Sequence, residues 1–293
     1  MQATRRPLSD GRWHFQHGPI DIVLQLVGDA TACHDAVQRT WQRFETILPE
    51  LVSELPLLRQ PIANLQKYSF QGEVARSMWQ VTHDMAWATA DGFVTPMAAV
   101  AGSVAQTLLP CLTQDGVQKA YVNNGGDIAL HLQENQHWRI GVVSDLQRAL
   151  QADFSMDLIS DGQFVIDHSM PVRGVATSGW RGRSFSLGIA DSVTVLAATA
   201  AQADVAATLI ANAVNIHHPS VQRQAANSLR DDTDLGDRLV TVDVPRLPPA
   251  LVDQALQLGL DCAHAIQARG QVFAAFVCCQ GQMAVAQPLE CLV

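Results

Sequence analysis

Near the middle of the chain two short runs, KAYVNN and DIALHL, are separated only by Gly125-Gly126. Both runs read as short strands, and paired glycines between strands supply the positive φ of a tight reversal. An antiparallel hairpin is therefore expected here. A strand also reads from Ile20 to Val27, where Ile20, Ile22, Leu24 and Leu26 are apolar around Asp21 and Gln25. Further strands are expected at WRIGVV, QFVIDH, RGVATS, RSFSLG, SVTVLA and LVTVDV, with a last hairpin of VFAAFVCC and MAVAQ around Gln280-Gly281.

Helical periodicity interrupts these strands. DAVQRTWQRFETILPELVSEL predicts a long helix that Pro49 bends or divides. Val74, Met78, Val81 and Met85 share one helix face, which ends near Asp91-Gly92. MAAVAGSVAQTLLPCL, opened by Thr95-Pro96, predicts a helix whose alanines and Gly102 let another backbone come close. QADVAATLIANAV and the stretch from Pro248 to about Arg269 complete the helices. Strands broken irregularly by helices point to an α+β fold, a mixed or antiparallel sheet backed by helices. One domain over residues 1–293 is expected, with a two-lobed organisation around a cleft as the variant.

Composition excludes several partners. The formal charge is -9 and only Lys67 and Lys119 are lysines, so the basic stripe that binds nucleic acid is missing. No run approaches the roughly 18 unbroken apolar residues of a membrane helix. Arg5-Arg6 are followed by no apolar segment, so no export signal is read and a cytoplasmic location is expected. Six cysteines lack C-x-x-C spacing and read as reduced thiols; Cys278 and Cys279, adjacent on a strand, would face opposite ways. The expected partner is a small-molecule ligand, and a homodimer stays open.

Four short motifs carry residue types suited to a polar ligand. Asn123-Asn124-Gly125-Gly126-Asp127 offers free backbone N–H groups and a carboxylate, although a plain hairpin turn uses the same residues. Thr177-Ser178-Gly179 offers hydroxyls at a strand end, or a turn. Asp204 and Thr208 lie four apart on one helix face, hard oxygens that suit Mg²⁺, with a first-turn Asp as the plain alternative. Asp231-Asp232-Thr233-Asp234 with Gly236-Asp237 does not fit an EF-hand and reads as a solvated loop, and His217-His218 are adjacent side chains that do not converge on a metal.

Taken in order, MAAVAGSV, YVNNGGDI, HWRIGVV, VATSG and ADVAATL resemble the ApbE family, the FAD:protein FMN transferases. TPMAAVAGSVAQ, NNGGDI, SLGIADSVTVLA and DTDLGDRLVTVDV further resemble an uncharacterised ApbE-related family, over nearly the whole chain. The resemblance implies a T-fold and a cleft binding FAD or FMN. Met97, Asn123, Asn124, Gly125, Gly126, Asp127, Thr177 and Ser178 would then face the ligand, and Asp204 and Thr208 would hold Mg²⁺. Two departures matter. Gly102 stands where the family has a lysine, which removes a charge-assisted contact of roughly 1.5–3 kcal/mol. Ser184 to Asp191 replaces the family's histidine-containing segment. The resemblance thus implies ligand binding with transferase chemistry open; an enzyme of modified-pterin or one-carbon cofactor synthesis and a non-catalytic cofactor carrier are the alternatives.

Overall fold

The computed structural model describes residues 2–66, 69–89, 91–142 and 162–288. Lys67, Val143 of the expected WRIGVV strand, and Cys291 lie outside the described residues. The chain divides into two compact units, residues 1–137, 167–176 and 196–205 forming the first, and 138–166, 177–195 and 206–293 the second.

The first unit is built on antiparallel strands in the order β1 (Thr4–Pro7), β2 (Trp13–His17), β3 (Ile20–Gly28), β4 (Val117–Asn124), β5 (Asp127–Leu132), β8 (Gly174–Ser178). The β1–β2 hairpin has no apolar alternation to announce it, since all of β1 is exposed. Phe15, Ile22 and Leu24 point from the sheet to helix α1 (Ala30–Leu58), where Phe15 meets Phe44 at 5.4 Å and Trp41 edge-on at 5.2 Å. Each such buried side chain contributes about 1.5–3 kcal/mol. Asp29 opens α1 by accepting the Ala32 N–H at 2.9 Å.

Pro49 does not divide the helix: α1 continues through both Pro49 and Pro56. The prolines deprive the carbonyls of Glu45 and Val52 of their helical partners, and both of those residues are exposed, where solvent can meet such orphaned oxygens. Helices α2 (Glu73–Met85) and α3 (Val100–Leu108) follow, and α3 is flanked by 3₁₀ turns at Pro96–Ala99 and Leu109–Leu112.

In the second unit the wholly buried β9 (Ser192–Ala197) neighbours β12 (Ala274–Cys279), which pairs antiparallel with β13 (Gln282–Ala286). Helix α4 (Ala200–Ala213) begins in the first unit and ends in the second. Helix α6 (Pro249–Ala268) packs on β12 and β13, and Gly259 brings it against Val214, whose Cγ2 would lie 2.3 Å from any Cβ at 259. Strands β6 (His137–Val142) and β7 (Gly162–Asp167) form one two-stranded ribbon. Strands β10 (Gln222–Ala225) and β11 (Leu239–Asp243) form another, joined through the short helix α5 (Ala226–Leu229).

Residues 183–188, read from the sequence as the strand RSFSLG, are irregular instead. Asn212 Oδ1 accepts the Leu187 N–H at 2.9 Å and Asn215 Nδ2 donates to the Leu187 carbonyl at 2.9 Å. Side chains meet the backbone needs of Leu187 in place of a strand ladder. Among the described residues no helix is long and apolar enough to cross a membrane.

Candidate functional site

The hairpin between β4 and β5 sets the first part of the site. Gly125 and Gly126 take φ of 67° and 118°, which puts Asn124 directly opposite Asp127 in the register. Directly opposed residues share a sheet face, so Asn124 and Asp127 lie on the same side, and Asn123, paired with Ile128, lies on the other. Asn123 serves the turn itself: its Oδ1 accepts the Gly126 N–H at 2.8 Å. Asn124, only 7% exposed, donates from Nδ2 to the Ala101 carbonyl at 3.2 Å and so ties the hairpin to the first turn of α3.

That first turn meets the start of α4. Ala99, which precedes α3, makes no side-chain cap, and the orphan N–H groups of such a turn need acceptors. Asp204 provides them, with Oδ2 accepting the Gly102 N–H at 2.8 Å and the carboxylate also bonding the Ala101 backbone. In return Gln106 of α3 accepts the Ala201 N–H at 3.2 Å, and Thr199 accepts the Gln202 N–H at 3.3 Å. The two helices therefore cap each other across their contact.

Only glycine allows this approach. A Cβ at position 102 would lie 2.3 Å from the Ala200 carbonyl oxygen and 2.8 Å from Asp204 Cβ. Gly174 of β8 presses on the same turn, where a Cβ would sit 2.2 Å from the Thr199 oxygen. The first turn of α4 is thus held between two backbones that carry no side chain.

The Asp204 carboxyl is pushed well above the usual carboxylate range, chiefly by burial and then by the negative charge of Asp127, while the N–H groups of Gly102 and Ala101 pull it back down. Among the described residues no basic group enters that balance.

Residues 5–285 match the family described as AbpE bacteria. The chain belongs to that family. This family member is 32% identical over 200 residues to a UPF0280 protein of Methanothermobacter thermautotrophicus, covering 68% of this chain and 63% of the relative. A UPF0280 protein of Methanosarcina barkeri is 31% identical over 210 residues, covering 71% and 75%. One from Methanococcus maripaludis is 36% identical over 160 residues, covering 53% and 59%. The chain thus spans less than two thirds of the length of the first and third of these relatives. Among solved structures, a point mutant of the flavin transferase ApbE from Vibrio cholerae aligns with a TM-score of 0.49 at 13% identity over 98% of this chain and 97% of that one. The flavinyl transferase ApbE of Pseudomonas stutzeri, apo form, aligns with a TM-score of 0.43 at 13% identity over 99% and 97%.

In this AbpE family member the residues expected at the site separate into groups. Asn124, Asp127 and Asp204 come together around Ala101 and Gly102 in the first unit. Met97 stands in the 3₁₀ turn just ahead of α3, half-buried. Gly125 and Gly126 form the turn, with open space beside Gly126. Thr177 and Ser178 are counted with the second unit, and the Thr177 hydroxyl bonds Thr194 at 2.9 Å. Thr208 lies one turn beyond Asp204 on α4. Sequence reasoning missed Gln106 and the backbone of Ala101. The run of small residues from Met97 signalled a close approach there, although not which polar groups would meet.

Proposed function

We propose that this chain binds a flavin nucleotide, or a heterocycle of like shape, at the first turn of α3 and the Asn124–Asp127 hairpin. Mg²⁺ would be held on Asp204 and, one helical turn along, Thr208. The observation that carries the reading is geometric: Asp204 accepts the Gly102 N–H and Asn124 holds the Ala101 carbonyl, so both meet one turn of α3. There burial first, and then the charge of nearby Asp127, push the Asp204 carboxyl upward. A divalent cation on hard oxygens relieves repulsion between such carboxylates, and an ionised carboxylate has lone pairs for a cation as well as for the Gly102 N–H. Bound Mg²⁺ would neutralise phosphate charge. The rest falls to the chain's own atoms. Asn124 holds the Ala101 carbonyl in place, Asp127 orients a ligand hydroxyl or amine, and the open side of Gly126 admits a flat ligand.

The order of sequence motifs and membership of the family support this reading. Position 102 argues for binding without transfer, since a lysine there would force its Cβ into the Ala200 carbonyl. The test is thermal unfolding with FMN, in Mg²⁺ and in chelator. The native chain is expected to gain stability from FMN and Mg²⁺ together, and Asp204→Asn to lose the Mg²⁺-dependent part at least tenfold in apparent affinity. An Asp204→Asn chain with an unchanged Mg²⁺ response would overturn the metal assignment.

A further inference from the structure

The second unit holds a polar ring that the proposed site does not use. Arg223 of β10 donates from Nη2 to Asn215 Oδ1 at 2.6 Å and to the Ile216 carbonyl at 3.2 Å. Asn215 bonds the Leu187 carbonyl, and the Leu187 N–H and the Ser186 hydroxyl both go to Asn212 Oδ1, at 2.9 and 3.2 Å. The Ser186 carbonyl accepts the Thr241 N–H at 2.9 Å. Thr241 is the cross-strand partner of Arg223, which closes the ring.

Donors are left over at Arg223, Asn212 and Thr241. A guanidinium offers five N–H groups, and all the hydrogen bonds Arg223 makes within the described residues run through Nη2 to neutral oxygens. Among the described residues its Nε and Nη1 donors meet no protein acceptor, and burial lowers the pKa of this cation with no carboxylate named against it. Asn212 uses only its oxygen. Among the described residues the Thr241 hydroxyl is buried without a hydrogen-bond partner in a residue only 5% exposed, an arrangement that costs about 1–3 kcal/mol unless something fills it. Tying the loop 215–223 accounts for Nη2 alone. The nearest acid in the register, Asp243, faces Gln222 and is exposed. From Val205 to Arg230 the sequence carries no acidic residue, in a chain of net charge -9.

We infer that the ring of Arg223, Asn212 and Thr241 binds a tetrahedral oxyanion, the phosphate group of a small molecule. Guanidinium, amide and hydroxyl donors arrive from three separate elements, β10, α4 and β11. Arg223 and Thr241, as direct cross-strand partners, share one face of the ribbon, and Asn212 is linked to them through Leu187, Ser186 and Asn215. An acceptor with oxygens in three dimensions suits donors from separate elements better than a planar carboxylate. This site is independent of the ligand proposed at Asp204.

The test is a thermal-shift titration of the whole chain with inorganic phosphate against chloride and acetate at equal ionic strength. The native chain is expected to gain stability saturably with phosphate and little with acetate. Arg223→Gln is expected to weaken phosphate at least tenfold. Because Arg223→Gln also loosens the Asn215 tie, Thr241→Val is the second variant. It keeps the shape, should be at least as stable as the native chain without phosphate, and should bind phosphate about threefold to tenfold more weakly. An equal phosphate response in the native chain and both variants overturns the site, as does an acetate response equal to that of phosphate. A Thr241→Val chain clearly less stable in phosphate-free buffer also overturns it, because the hydroxyl would then be bonded within the fold.

Discussion

Gly102 shows how much one residue decides. With Cβ distances of 2.3 Å to the Ala200 oxygen and 2.8 Å to Asp204 Cβ, Gly102→Ala is expected to destabilise the chain by roughly 1–3 kcal/mol, as overpacking against backbone does. A shift in the urea midpoint measures this, and an unchanged midpoint would show that α3 can move off α4 freely. The absence of lysine at this position was legible in the sequence, but its reason was not: the approach of two helix backbones leaves no mark on residue spacing. A second residue-scale expectation concerns Cys279, whose thiol burial pushes up to about 12. At pH 8 about one part in ten thousand is thiolate, so iodoacetamide should spare Cys279 in the folded chain and label it in urea. The folded value lies above that of the unfolded thiol, near 8.5. The stability this thiol contributes is therefore complete below about pH 8.5 and lost as pH rises toward 12. Cys279→Ala should flatten that alkaline decline in melting temperature, and rapid labelling of the folded chain at pH 8 would contradict the burial.

At the scale of elements, the reciprocal caps between α3 and α4 replace the end signals that local sequence normally supplies. Gln106→Ala removes the acceptor of the Ala201 N–H and is expected to cost about 1 kcal/mol, read from the same urea transitions. The sign reverses on α1. Pro49 lies on the exposed side of a helix that continues past it, so Pro49→Ala should restore a backbone hydrogen bond and stabilise by about 1–3 kcal/mol. A loss of stability would mean that the proline is needed where it is. Strand β3 and helices α2 and α6 could be read from periodicity, because each buries one regular face. By contrast, β4 and β5 were legible as short strands flanking a glycine pair, and α4 as a run of helix-forming small residues. What could not be read shares one cause. The exposed β1, the β10 strand QRQA and the irregular 183–188 segment are held by hydrogen bonds to distant residues, such as those of Asn212 and Asn215 to Leu187. Apolar spacing does not report such partners.

For the whole molecule, composition and topology agree on an α+β protein whose first unit carries the hairpin, the α3 turn and Asp204. The order of the motifs groups Asn124, Asp127 and Asp204 through the family resemblance, the structure brings them together around Ala101 and Gly102, and hairpin register separates Asn124 and Asp127 from Asn123. A net charge of -9 with two lysines predicts no binding to duplex DNA at about 150 mM salt, to be checked by a mobility shift. The most direct test of the central proposal is titration of the purified chain into FMN and FAD with Mg²⁺, followed by quenching of flavin fluorescence. Saturable quenching that weakens at least tenfold on chelation of Mg²⁺ and in Asp204→Asn is the predicted result. Flavin fluorescence that stays unchanged at every protein concentration, with Mg²⁺ present, would contradict it.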